Sequence, residues 1–325
     1  MRDRSIPLIL FTLVLTFTFP LFAGDRSPHT DWFQKAGYGV FIHFLPDDEA
    51  SFAKVKDFDV GYLADQLESV GAGYLILTLG QNSGYFNPPN SSYDAATGYR
   101  PGERCSTRDL PMELFEALRS KGIRLMLYLP SQTPNEDGRA QAAFGFPVGK
   151  KDQPIAIESA RKWARVIREW SVRYGDKLSG WWFDGGYDHV GFNEEIAGIY
   201  AEAARAGNPS SIITFNPGIK LVRHTQAEDY TAGELQEPFD FIPTSRWLDG
   251  SQWQALTYLG SHWSARDVRY PAERWAEWAK KVVSGGGVIS FDSGPSWDSS
   301  QGPIGSLAEP QMEILGEIST ALKNR

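Results

Sequence analysis

Ser179-Gly-Trp-Trp-Phe-Asp-Gly-Gly-Tyr187 sets an aromatic run, a carboxylate and two glycines side by side. Trp181, Trp182 and Phe183 read as a buried strand, because bulky aromatic side chains suit a pleated surface. Gly185 and Gly186 turn the backbone away, which leaves Asp184 at the strand end. Before this stretch, Glu158 to Tyr174 has the apolar spacing of a long amphipathic helix and stops at Gly175. After it come a helical pattern from Asn193 to Ala206 and a short strand from Ser211 to Phe215. Strands alternating with helices imply a parallel sheet with crossover helices.

The same alternation continues outward. Tyr38 to Phe44, Tyr74 to Leu79 and Ile123 to Leu129 read as strands; Val60 to Val70 and Met112 to Lys121 read as helices. On the far side, strands at Ala255 to Leu259 and Val288 to Phe291 flank a helix at Ala272 to Ser284, and a helix at Gln311 to Leu322 follows. Gly80 to Leu110 reads as a long loop, and His224 to Asp249 is less regular. The count comes close to eight strands, one of them indistinct. That predicts a closed (β/α)8 TIM-type barrel, a single α/β domain over 24–325, in keeping with a usual barrel size of about 250 residues. No Gly-x-Gly-x-x-Gly follows the first strand and no Walker loop is present, so nucleotide binding has no support.

Met1-Arg-Asp-Arg4 precedes an apolar run from Ile6 to Phe22 that closes on Ala23. A charged start, a short apolar core and a small residue predict a signal peptide over 1–23. The expected product is secreted or periplasmic, with no membrane anchor after cleavage. The single cysteine, Cys105, rules out an internal disulfide and reads as a buried structural thiol. The net charge of -8 and the lack of a Lys/Arg block argue against nucleic acid as a partner. Eleven tryptophans in an acidic, exported chain suit rings that stack on sugars. A carbohydrate is therefore the expected partner. The five histidines are scattered, none at ligand spacing, so no metal and no cofactor is expected. Asp184, walled by aromatic rings at a strand end, either points a catalytic carboxylate into a sugar-sized site or merely starts a turn.

The ordered set of motifs resembles the alpha-L-fucosidases of glycoside hydrolase family 29. Tyr38-Gly-Val-Phe-Ile-His-Phe44 is similar to the family's first strand, and Thr107-Arg-Asp-Leu110 followed by Gly122 to Tyr128 to its Arg-Asp segment. Trp181 to Gly185 resembles the nucleophile strand, and Asp229-Tyr-Thr-Ala-Gly-Glu234 the acid/base segment of some members. Gln252 to Trp263 and Ile289-Ser-Phe-Asp-Ser-Gly-Pro295 are similar to the last two family segments. The resemblance implies a barrel hydrolase with Asp184 as nucleophile and Glu234 as general acid/base, with Glu237, Glu228 and Asp229 as nearby rivals. It places His43 on the substrate. Asp292 either binds substrate or holds the final turn. Trp182, Trp263 and Tyr128 either stack on sugar or pack the barrel.

The departures lie in the sugar-binding positions. Where the family has a His pair, this chain has Gln81 and Asn82, whose amides either meet sugar hydroxyls or brace the loop. Asn216 stands where the family's arginine would touch the sugar, and Gln254 where other members carry a glutamate. Nothing resembles the family's C-terminal β-sandwich. The reading that follows is an exported, exo-acting, retaining glycosidase that cleaves a terminal sugar from an oligo- or polysaccharide. Its alternatives are a glycosidase for a sugar other than fucose and a carbohydrate-binding barrel without catalysis.

Overall fold

A computed structural model of the protein describes residues 27–151 and 153–323. The signal peptide expected over 1–23 lies outside these residues. Seven parallel strands form one curled sheet: β1 (Tyr38–Ile42), β2 (Tyr74–Thr78), β3 (Arg124–Pro130), β4 (Leu178–Asp184), β5 (Ile212–Phe215), β8 (Gln254–Tyr258) and β9 (Val288–Asp292). Their spatial order is β5-β4-β3-β2-β1-β9-β8. A small antiparallel hairpin, β6 (Trp247–Leu248) with β7 (Ser251–Gln252), leads into β8.

The alternation of side chains along each strand separates two cores. Phe41, Tyr74, Ile76, Met126, Tyr128, Trp182, Ile212 and Val288 turn inward and fill the barrel. Their chain neighbours Val40, Leu75, Leu127, Trp181 and Phe183 turn outward under the helices. Within Trp181-Trp-Phe-Asp184, the strand period of two therefore puts Trp182 and Asp184 on the inner side. Burying each such side chain contributes about 1.5–3 kcal/mol.

The outer layer includes α3 (Val60–Ser69), α5 (Leu110–Arg119), α7 (Ile157–Tyr174), α8 (Glu194–Ala204), α9 (Ala272–Ser284) and α10 (Glu309–Lys323). Helix α7 buries Trp163, Val166, Ile167, Trp170 and Tyr174, a spacing that keeps them on one face. Helix α1 (Asp31–Ala36) closes the bottom of the barrel. Its Phe33 sits 4.8 Å from the ring of Tyr74 and 5.0 Å from that of Tyr230.

Three short helices complete the fold: α2 (Glu49–Ala53), α4 (Ser91–Thr97) and α6 (Gly138–Phe144). Helix α4 falls inside the expected loop 80–110. It is nucleated by Asn90, whose side chain accepts from the Tyr93 N–H at 2.8 Å. So short a helix carries almost no period.

The eighth position of the barrel is the indistinct one. Between β5 and β8 runs the segment 229–235, which makes bridges rather than a continuous ladder. Toward β8 it is well bonded: Thr231 N–H donates to Gln252 O at 3.0 Å, and Leu256 N–H to Gly233 O at 2.8 Å. Toward β5, Asp229 N–H donates to Ile213 O at 2.9 Å, and the Asp229 carboxylate accepts the Ile213 N–H at 2.8 Å. Farther up, side chains span the gap. The Tyr230 hydroxyl donates to Trp181 O at 2.8 Å, and Trp182 Nε1 to Ala232 O at 3.3 Å.

Candidate active site

Asp184 ends β4 at the C-terminal mouth of the barrel. Gly185 follows with φ +74°, a left-handed conformation that glycine adopts freely, and nothing crowds the place where a Cβ would stand. Backbone geometry rather than space thus requires the glycine. Three donors converge on the carboxylate. Oδ1 accepts from Gly185 N–H at 2.8 Å and from Asn216 Nδ2 at 3.0 Å; Oδ2 accepts from the Tyr128 hydroxyl at 2.7 Å. Burial pushes the Tyr128 hydroxyl far above the usual phenol range, so it stays a donor. Gln81 Nε2 donates to that same hydroxyl oxygen.

Glu234 reaches the mouth from the irregular segment 229–235, not from a regular strand. Gly233 places it there, with φ +58° and an imaginary Cβ only 2.0 Å from Gln254 O. Glu234 Oε2 accepts from Asn216 Nδ2 at 2.6 Å. One amide nitrogen therefore bonds both carboxylates. Two oxygens within hydrogen-bonding reach of a single nitrogen cannot stand ~6.5–9.5 Å apart, the spacing that leaves room for an attacking water in inverting glycosidases. The amide itself is fixed: Asn216 is fully buried, and its Oδ1 accepts the Gly218 N–H at 3.1 Å. Burial raises the pKa of Glu234, the Asn216 donor opposes that rise, the nearby Asp184 charge adds to it, and His43 opposes it.

His43, just past β1, contacts the opposite wall. Its Nδ1 lies 2.6 Å from Asp292 Oδ1, and Asp292 Oδ2 accepts from Ser264 N–H at 2.7 Å. Ser264 holds φ +64°, one of two non-glycine residues with positive φ among those described. A buried carboxylate thus fixes both the His43 ring and a strained turn.

A cavity of about 430 Å3 opens between these groups, within the ~300–1,000 Å3 of small-molecule sites. Asp184, Glu234, His43, Gln81, Tyr128, Trp182 and Trp263 all line it. Three other expected residues stand elsewhere. Asp292 is buried beside His43 and holds its ring. Asn216 spends its amide on the two carboxylates. Asn82 lines a neighbouring cavity. Tyr128 and Trp182 stack on each other, centroids 5.5 Å apart at 17°, so each gives one ring face to the other.

The rivals to Glu234 are committed to the scaffold. Glu228 accepts from the N–H groups of Phe215, His224 and Thr225. Asp229 pairs with Arg205 at 2.6 Å, and Glu237 accepts from the Tyr270 hydroxyl. Gln254 is buried below the cavity, donating to Ser290 Oγ at 2.9 Å and to Ala255 O at 2.8 Å. It does not line the cavity.

Five lining residues are not among the residues expected from the sequence: Leu45, Tyr187, Leu256, Ser264 and Trp297. Tyr187 ends the stretch quoted first, directly after the Gly-Gly turn, and its position there was the available signal. Trp297 lies flat on Phe44, centroids 3.9 Å apart at 8°. Cys105 is buried. Among the described residues, no three His, Cys, Asp or Glu side chains gather as metal ligands would. None of the described helices is long and apolar enough to cross a membrane.

Residues 45–324 match the model of the alpha-L-fucosidase family. No curated protein sequence is similar enough to count as a match. Among solved structures, an endo-fucoidan hydrolase of glycoside hydrolase family 107 is similar with a TM-score of 0.71 at 16% identity, over 92% of this chain and 54% of that one. The chain thus spans about half the length of that protein. A second endo-fucoidan hydrolase of that family gives a TM-score of 0.66 at 16% identity, over 90% and 92% of the two chains. An alpha-L-fucosidase from Bacteroides thetaiotaomicron, a trapped covalent intermediate in complex with 2-fluoro-fucosyl fluoride, gives 0.63 at 18%, over 92% and 76%. At these identities the likeness is one of fold.

Proposed function

The chain belongs to the alpha-L-fucosidase family, and from that premise we propose that it is an exported, retaining, exo-acting glycoside hydrolase for fucose-type sugars. The observation that carries this reading is the Asn216 amide held between Asp184 and Glu234 at 3.0 and 2.6 Å. Its short span supports retention, for which the two carboxyls stand about 5–5.5 Å apart.

In the first step an Asp184 oxygen attacks the anomeric carbon. The bond to the leaving oxygen breaks as Glu234 gives that oxygen its proton. Raised pKa suits Glu234 to hold a proton until then. In the second step Glu234 takes a proton from water, the water oxygen attacks the anomeric carbon, and the Asp184 ester bond breaks. Gly185, Asn216 and Tyr128 keep Asp184 aimed throughout. His43, locked by Asp292, faces the sugar from the other wall.

Exchange of the family's histidine pair and arginine for Gln81, Asn82 and Asn216 changes three polar partners. Each mismatch costs about 1–3 kcal/mol, so turnover of a simple aryl α-L-fucoside is expected to be weak. The test is proton NMR of the first-formed sugar from an activated fucoside. Retention of anomeric configuration, lost together with turnover in Asp184→Asn, is the expected result; an inverted product ends the two-step reading. Robust aryl fucoside turnover would refute the pocket argument and leave Asp184 in place. Export is checked by the mass of the processed N-terminus, expected to begin at Gly24.

A further inference from the structure

A second cavity, of about 320 Å3, adjoins the first and shares the walls Gln81, Asp184 and Tyr187 with it. It lies between the loops that follow β2, β3 and β4. We propose that it is a second sugar subsite, shaped for an uncharged pyranose, so that the substrate is at least a disaccharide. The proposal rests on the reading that Asp184 and Glu234 cleave a glycosidic bond.

The lining chemistry is that of hydroxyl recognition. Gln81, Asn82, Gln132 and Asn135 bring carboxamides, and Thr133 a hydroxyl, to one cavity. Each carboxamide both donates and accepts, which suits sugar hydroxyls that do the same. The side-chain oxygens of Ser131, Thr133 and Asn135 are buried and have no hydrogen-bond partner in the protein. Buried polar groups are normally bonded; Thr133 and Asn135 belong to the cavity wall, Ser131 does not, and the first two leave that wall with unused hydrogen-bonding capacity.

The loops are also held ready. Ser131 N–H donates to Asp184 O at 2.6 Å, the Tyr200 hydroxyl to Ser131 O at 2.7 Å, and Glu136 N–H to Asn82 O at 2.9 Å. Such bonds tie the loops after β2, β3 and β4 into one cradle, which lowers the ordering cost of binding. An anionic sugar fits poorly. The lining cation, Lys151, is already paired with Glu136 at 3.0 Å, and Asp184 forms the shared wall.

The test is calorimetric titration of Asp184→Asn with methyl α-L-fucoside, an unsulfated α-L-fucosyl trisaccharide and its sulfated form. The unsulfated trisaccharide is expected to bind at least about tenfold tighter than the monosaccharide. Adding Asn135→Ala or Gln132→Ala is expected to remove most of that gain. Circular dichroism identifies a variant that fails to fold, and the other then decides. Equal affinity for mono- and trisaccharide overturns the proposal, as does failure of the trisaccharide to bind. Tighter binding of the sulfated form, erased by Lys151→Met, overturns the uncharged assignment. Wild-type product release is followed in parallel. Preferential trisaccharide binding without product keeps the subsite and removes the hydrolase reading; product without an affinity gain does the reverse.

Discussion

Asn216 carries one amide between two carboxylates, and a single change there separates their roles. Its N–H lowers the pKa of Glu234 against the rise caused by burial. Asn216→Ala removes that donor, so Glu234 should hold its proton to higher pH. The alkaline limb of the kcat/KM profile is expected to move up, with kcat reduced about 10–100-fold as Asp184 loses its aim. An unmoved limb would remove Asn216 from the proton chemistry. Glu234→Gln should spare aryl glycosides with acidic leaving phenols far more than natural oligosaccharides, since only the latter need the proton. Steady-state rates across a leaving-group series read this directly; a flat response counts against Glu234 as the acid. Asp184 was legible because a strand period and two glycines are both local features. Asp292 was ambiguous for the opposite reason. Its partners, His43 and Ser264, are distant in sequence, and no local pattern distinguishes a carboxylate that braces a histidine from one that meets a sugar.

At the scale of elements, the long amphipathic helices and the buried strands could be read from periodicity. Helix 272–284 is found at the bounds read from the sequence. The segment that carries Glu234 resisted, because it satisfies its backbone half through ladder bonds and half through the side chains of Asp229, Tyr230 and Trp182. No periodicity reports such a mixture. Helices α4 and α6 were missed because each spans seven residues and relies on a cap, Asn90 or Asp137. Gly233 is the hinge of the irregular segment. Gly233→Ala combines a positive φ with a Cβ driven into Gln254 O. We expect a loss of more than about 2 kcal/mol of stability and displacement of Glu234. Chemical denaturation and kcat measured together check this; wild-type values for both would mean the segment adjusts freely.

At the scale of the whole molecule, the barrel depends on a few buried polar ties across its one incomplete wall. Glu228 accepts the Phe215 N–H and the Thr214 hydroxyl of β5 and the N–H groups of His224 and Thr225 from the segment after it. Glu228→Ala leaves these buried donors without an acceptor, and the expected loss is about 3 kcal/mol or more. Differential scanning calorimetry should show a fall in Tm of roughly 5–10 °C. No change would show that water replaces the carboxylate at little cost.

The neighbours of β1 impose an order on synthesis. One edge of β1 meets β2, made soon after it, while the other waits for β9 near the far end of the chain. His43 and Asp292, which face each other across that join, are separated by 249 residues. A nascent chain can therefore lay down β1 to β5 as a half-sheet with two raw edges, yet it cannot fix His43 until translation has passed Asp292. Such open edges invite pairing with other chains. Under the proposed export, that half-sheet must be kept from pairing prematurely, and the completed site can exist only where the whole chain has arrived.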